Sequence, residues 1–402
     1  MPNQFTSPEG DLENYFVTEY WLIDQWVGDT LMTWGTGTSG QLGDNTTVNK
    51  TTPVTTFAGG TNWNQVSCAG DSTAAIKTDG TLWTWGYNFS GQLGNNVAFG
   101  SSILTPITTF AGGTNWKQVS CGNFSTGPTV NTTAAIKTDG TLWVWGYGSS
   151  GQVGNNTSTF GVNTPVTTFA GGTNWKQVSC GRHTAAIKTD GTLWTWGFNG
   201  YGQLGDNTGT NRSTPVTTFA GGTNWKQVAC GNAHTVAIKT DGTLWIWGRN
   251  TNGQLGDNTS GTNRSTPVTT FAGGTNWKQV AGGQTHTAAI KTDGTLWTWG
   301  FNYTGQLGNN TSVTRSTPVT TLAGGTNWKQ VAGGGYHTAA IKTDGTLWTW
   351  GRNSAAQLGD ITTVNRSTPV TTFAGGTNWK QVSGGIAHTA AVTSGTDPTY
   401  FI

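Results

Sequence analysis

The apolar residues of this chain fall in short runs broken by turn residues, and within the runs they alternate with polar ones. In LWTWG, residues 82–86, Trp83 and Trp85 share one side while Leu82 and Thr84 share the other. That period of two marks a strand. Runs of the HTAAIK and TLWTWG type flank an Asp-Gly dipeptide, the strongest short hairpin signal. A run such as WKQVACG precedes the hairpin. TPVTTF follows it, with proline at the strand start, where a missing N–H is tolerated. Four short strands thus recur in fixed order, and no stretch of the repeats sustains a useful helical period.

The order repeats along the chain. KTDGTLWTWG occurs at residues 77–86, 188–197, 291–300 and 342–351, and with Val or Ile between its tryptophans at 137–146 and 239–248. GGTNW ends at Trp63, Trp116, Trp175, Trp225, Trp277, Trp328 and Trp379. Seven copies at a period of about 50 residues point to a solenoid or a propeller, and four antiparallel strands per copy make a propeller blade. The fold class expected is all-β: a seven-bladed β-propeller of four-stranded antiparallel blades, with residues 1–29 as an N-terminal head and 30–402 as the propeller. The C-terminal end supplies a first strand (Trp379–Gly384) and a second (His388–Thr393), and the N-terminal end a third (30–35) and a fourth (52–57). Their pairing closes the ring and hides both edges. Residues 21–27, WLIDQWV, compete for the second-strand slot, and the repeat-like HTAAV of the C-terminal segment favours residues 388–393.

Composition sharpens this. Glycine (62) and tryptophan (22) are far above ordinary usage, which suits turns and strands. Twenty of the tryptophans sit at repeat positions, so indole between blades is the expected packing material. Only 9% of residues are charged and the net charge is +2, which leaves no clustered basic patch for nucleic acid. No run of about 20 apolar residues is present, so membrane insertion is not expected. MPNQFTSPEGDLENYF lacks the basic and apolar regions of a secretory signal. Cys68, Cys121, Cys180 and Cys230 occupy one repeat position, expected to be separate places in space, and read as free buried thiols.

HTAAIKTDGTLWTWG followed by N-x-x-GQLG resembles the repeat of the regulator of chromosome condensation family, over residues 30 to about 393. The resemblance implies a seven-bladed propeller closed by its two ends. Members of that family include an exchange factor for a small GTPase, ubiquitin-ligase modules and a bacterial inhibitor of β-lactamases. They share a scaffold and not a chemistry. No residues match the exchange factor's wedge-like insertion or acidic contacts, so no exchange activity is carried over. The near-identical repeats and unusual head also resemble repeat proteins encoded by bacteriophages.

Catalytic chemistry finds no foothold. His183, His234, His286, His337 and His388 fall at one repeat position and should be too far apart to share a metal. They read as strand residues bonded to neighbouring backbone. Asp79, Asp139, Asp190, Asp241, Asp293 and Asp344 are hairpin-turn residues, equally far from a paired acid–base site. The GQLG loops open no helix and are not phosphate cradles. The expectation is no enzyme, no catalytic residue, no metal and no cofactor.

Binding residues are sought where near-identical repeats differ. The loop after each Trp-Gly carries Tyr87 and Phe89, Tyr147, Phe198 and Tyr201, Arg249, Phe301 and Tyr303, and Arg352. Aromatics and arginine anchor interfaces and suit sugar stacking. Alternatively, the first aromatic of each loop covers its own blade. Three longer segments, 95–104, 123–131 and 155–163, also vary. The head is acidic, with no Lys or Arg before Lys50, and its candidate attachment residues are Glu9, Asp11, Glu13, Tyr15, Phe16, Tyr20, Trp21 and Trp26.

The function expected is a non-enzymatic binding or structural propeller of a phage virion, on the tail or capsid. Its partners would be a virion subunit and a host-surface glycan or protein. The alternative is a cytoplasmic scaffold or inhibitor that clamps one protein.

Overall fold

The computed structural model describes residues 29–97, 99–122 and 131–395. Within them the backbone forms seven four-stranded antiparallel sheets. Six are built from consecutive strands, over residues 63–108, 116–167, 175–217, 225–269, 277–320 and 328–371. The seventh joins the chain ends, Trp379–Gly384 and His388–Thr393 pairing onto Leu31–Gly35 and Lys50–Thr55. Leu31 lies opposite Val392 and Gly35 opposite His388. The second-strand slot is therefore filled by the C-terminal segment, as its sequence favours. Residues 21–27 lie outside the described residues.

Each hairpin has a three-residue loop. Lys77 N–H donates to Thr81 O at 3.0 Å and Gly80 N–H to Lys77 O at 2.9 Å. Gly80 takes φ +78°, and a Cβ there would sit 2.2 Å from the Thr114 carbonyl. A type I turn followed by a left-handed residue is the form such a loop takes, which explains why glycine recurs at this place. The Asp79 carboxylate accepts from the Thr81 N–H (2.9 Å) and hydroxyl (2.7 Å). These bonds, first the one from the Thr81 N–H, hold its pKa below the ordinary value.

The core lies between blades. Trp85, Trp63 and Val66 pack back on Leu31 and Val392. Ala74, Ile76 and Leu82 of the same blade pack forward on Trp116, Val119 and Trp145. The two sides of LWTWG thus serve two different interfaces. Trp63 meets Trp83 and Trp85 edge-on, with ring centroids 6.3 and 6.2 Å apart. Lys77 Nζ lies 4.8 and 4.7 Å from the Trp63 and Trp83 rings, within cation–π range.

First strands line the central channel, and their inner edges need partners. The neighbouring blade supplies them. Gln65 accepts from Val119 N–H at 2.9 Å and donates to Val119 O at 3.3 Å. Gln118, Gln177, Gln227, Gln279 and Gln330 each accept from the next blade's valine N–H. Gln381 completes the circle onto Val66, accepting at 2.8 Å and donating at 3.1 Å.

Candidate functional site

An antiparallel blade has two ends. One carries the Asp-Gly hairpins together with the turns between blades, since Thr78 N–H donates to Asn62 O at 2.7 Å. The other carries the GQLG loops and the connections from first to second strands, since Tyr87 N–H donates to Asp71 O at 2.8 Å. We refer to these as the turn face and the loop face.

On the loop face the candidate residues gather into three clusters. Tyr87 stacks on Phe89 at 5.9 Å, Phe89 meets Phe160 at 5.5 Å, and Phe160 also meets Tyr147 and Phe99. Phe198 contacts Tyr201 at 5.9 Å, with Arg182 4.4 Å over Phe198 and Arg249 5.1 Å over Tyr201. Phe301 contacts Tyr303 at 4.7 Å and Tyr336 at 5.8 Å, and Arg352 lies 5.8 Å over Tyr336. Among the described residues no ring or cation contact joins one cluster to the next, so the loop face presents three patches and no continuous belt. These side chains divide by exposure. Tyr87, Tyr147, Phe198 and Phe301 are half-buried. Tyr303, Phe99 and Phe160 are 72%, 47% and 46% exposed.

Four members were missed as individual residues. Phe99 and Phe160 lie inside the longer variable segments. Arg182 and Tyr336 occupy the position before the repeat histidine, where Asp71, Ala233, Thr285 and Ala387 stand in other blades. That variation was a readable signal. Residues 123–130 of the variable segment 123–131 lie outside the described residues, as do Glu9, Asp11, Glu13, Tyr15, Phe16, Tyr20, Trp21 and Trp26. Asp29, assigned to the head, is described: its carboxylate pairs with Lys380 at 2.8 Å and so joins the closing seam.

The loops that carry the clusters are pinned. The Trp85 indole N–H donates to Gln41 O at 2.9 Å, and Thr84 Oγ1 donates to Leu93 O at 2.7 Å. Asn199 accepts from Leu204 N–H at 2.9 Å and donates to Asp206 at 3.0 Å. Asp206, Asp257 and Asp360 each pair with an arginine at 2.9 Å. Burial pushes the Asp206 carboxyl up, and bonds from Thr208, Arg212 and Asn199 outweigh it, so the group stays below its ordinary pKa. In the fifth blade Asn309 replaces the aspartate, and Arg315 Nε is buried with no partner.

The histidines are fully buried, and their partner differs from the expected backbone. His388 Nε2 lies 3.0 Å from Thr73 Oγ1 of the next blade. Thr73 Oγ1 donates to Gln41 O at 2.9 Å, so His388 Nε2 carries the proton. His183, His234, His286 and His337 face Thr235, Thr287, Thr338 and Thr389 in the same way. Burial pushes their pKa values down, to about 4 for His286 and about 3 for the other four. They are neutral spacers between blades.

The cysteines are free and buried, as expected, but they do not lie in separate places. All four line one central cavity of about 170 Å³, because first strands of successive blades converge on the axis. Each cysteine N–H donates to the preceding blade's serine, as Cys121 does to Ser67 at 2.9 Å. Burial pushes Cys68, Cys121 and Cys230 up to about 12, so they remain thiols. Among the described residues no group of three or more His, Cys, Asp or Glu is placed to hold a metal ion.

A closed seven-bladed propeller with interblade indoles and pinned GQLG loops defines a class of repeat protein. The chain belongs to the RCC1-like domain family, whose model matches residues 30–328 and, overlapping, 181–400. It is 32% identical over 349 residues to the ultraviolet-B receptor UVR8 of Arabidopsis thaliana, covering 85% of this chain and 77% of the receptor. The crystal structure of human WBSCR16 superposes with a TM-score of 0.80 at 22% identity, covering 91% of this chain and all of that one. Prp20p of Saccharomyces cerevisiae superposes at 0.77 with 17% identity, covering 98% and 97%. Both structures show the shared fold.

Proposed function

We propose that this chain is a non-enzymatic protein-binding propeller that engages its partner through the aromatic and arginine clusters of the loop face. The observation that carries the reading is the placement of exposed Phe99, Phe160 and Tyr303 beside half-buried aromatics and arginines on pinned loops. Such side chains bury large area with few rotatable bonds, and a pinned loop loses little further freedom on binding. The buried histidines and thiols and the hydrogen-bonded turn aspartates offer no nucleophile beside a base, which favours binding over turnover. Prp20p is described with binding to Gsp1p and histones. Those partners are that protein's own, and a binding role for this chain rests on its own loop face.

The finer version of this reading is a virion protein that attaches through residues 1–29 and holds a host-surface protein or glycan on the loop face. Its support is the acidic, aromatic sequence of that segment and the near identity of the repeats. No relative reported above is a virion protein. A cytoplasmic scaffold or inhibitor is the alternative setting.

Cross-linking with mass spectrometry, on the native protein and on a Phe99→Ser, Phe160→Ser, Tyr303→Ser variant, tests the reading. A stoichiometric protein partner cross-linked to the loop face and lost from the variant is expected. A partner held equally by the variant, or cross-linked elsewhere, refutes it.

A further inference from the structure

The turn face carries a pattern that the loop-face reading does not use. Each turn between blades runs from an apolar residue through Ala-Gly-Gly-Thr-Asn-Trp to the residue that opens the channel mouth. Phe57, Phe110, Phe169, Phe219, Phe271 and Phe373, with Leu322 in the remaining blade, are 60–68% exposed. Their alanine neighbours turn the other way: Ala58, Ala111, Ala170 and Ala323 pack into the interblade core. At the turn tips Gly59, Gly112 and Gly171 have open space where a side chain would be. The seven tips therefore protrude, each with an apolar side chain that its own blade does not cover.

Among the described residues the charges of this face are not balanced. Six hairpin lysines are matched by six hairpin aspartates, as Lys77 is by Asp79, and Lys380 is paired with Asp29. Lys117, Lys176, Lys226, Lys278 and Lys329 are left over. All five are exposed, one at the start of each of five first strands, and none forms an ion pair among the described residues. They encircle the channel mouth, while the apolar residues lie toward the outer strands.

We propose that the turn face is a peripheral docking surface for an anionic lipid bilayer. The rim phenylalanines enter the boundary between headgroups and acyl chains, and the lysine annulus lies over anionic headgroups. Seven near-identical contacts at one level of a ring need a partner that is the same in every direction. A bilayer meets that need, and it lets seven weak contacts act together. A folded protein would need a matching sevenfold pattern. Docking this way leaves the loop face pointing away from the membrane and free for its own partner, so the two proposals stand or fall separately.

Sedimentation of the full chain with vesicles tests this. One vesicle set is phosphatidylcholine alone, and the other is equimolar phosphatidylcholine and phosphatidylglycerol. The expected result is binding to the anionic set that weakens as salt rises. It should drop about tenfold or more in a Phe110→Ser, Phe169→Ser, Phe219→Ser variant, and likewise in a Lys117→Glu, Lys176→Glu, Lys226→Glu variant. All substituted residues are exposed, and an unchanged unfolding transition certifies each variant. Equal sedimentation with both vesicle sets, or no effect of the serine substitutions, overturns the proposal. So does self-association without lipid that the serine variant abolishes, since a second copy would then cover this face. Binding of duplex DNA that needs the lysines but not the phenylalanines, with no vesicle binding, also overturns it.

Discussion

In KTDGTLWTWG nearly every residue has an assigned contact. Lys77 lies against two indoles, Asp79 caps Thr81, Gly80 takes a left-handed turn, and Trp83, Trp85 and Leu82 serve opposite interfaces. Gly80→Ala should therefore cost about 2 kcal/mol or more, from positive φ and the close Thr114 carbonyl, read as a lower midpoint in urea. The histidines give a pH signature. Their folded pKa values are depressed from 6.5 to about 3 or 4, so the stability they contribute is present above pH 6.5 and lost as pH falls. Between about pH 5.5 and 4 the unfolded chain takes up as many as five more protons at these sites, a slope approaching about 7 kcal/mol per pH unit. His183→Ser with His286→Ser, copying Ser72 of the first blade, should flatten that slope by two protons in denaturation curves across pH.

At the scale of elements, the join between blades is a hydrogen-bonded seam as well as an apolar one. Gln381→Leu removes both bonds to Val66 and leaves its N–H and C=O facing an apolar side chain. A loss of about 1–3 kcal/mol is expected in denaturant titrations. Asn309→Asp should do the reverse. It restores at Arg315 the carboxylate that Arg212, Arg264 and Arg366 already have, for a gain of about 0.5–1 kcal/mol that fades at high salt. The strand pattern and the Asp-Gly hairpins were legible in the sequence because alternation and turn chemistry are local. The glutamine seam was not, because its two partners are about a whole blade apart along the chain. The histidine partner was misjudged for the same reason: a threonine of the next blade is invisible to spacing within one repeat.

For the whole molecule, closure decides stability. The inner strands of the seventh blade come from the last described stretch of the chain, and that blade covers the apolar faces of the first and sixth blades. Ending the chain at residue 378 should abolish the single cooperative transition, and tryptophan fluorescence in denaturant would show a broad, early unfolding. The loop face follows the same logic. Its nine candidate residues were found by comparing repeats, but their division into three patches depends on which side chains reach across blades. Phe160 draws Tyr147 and Phe89 together, while no ring or cation contact links Tyr147 to Phe198 or Arg249 to Phe301 among the described residues.

The sequence by itself determined the strands, their hairpins, the number of blades and the segment that closes the ring, because each follows from period, turn residues and counting. Only the tertiary structure decided what faces what across a blade boundary. It placed the four thiols on one cavity, the imidazoles against threonine hydroxyls, the glutamines on the inner edges, and the phenylalanines and unpaired lysines together on one face. Those relations join residues about 50 positions apart. They are set by the curvature of the ring, which no local pattern of residues encodes.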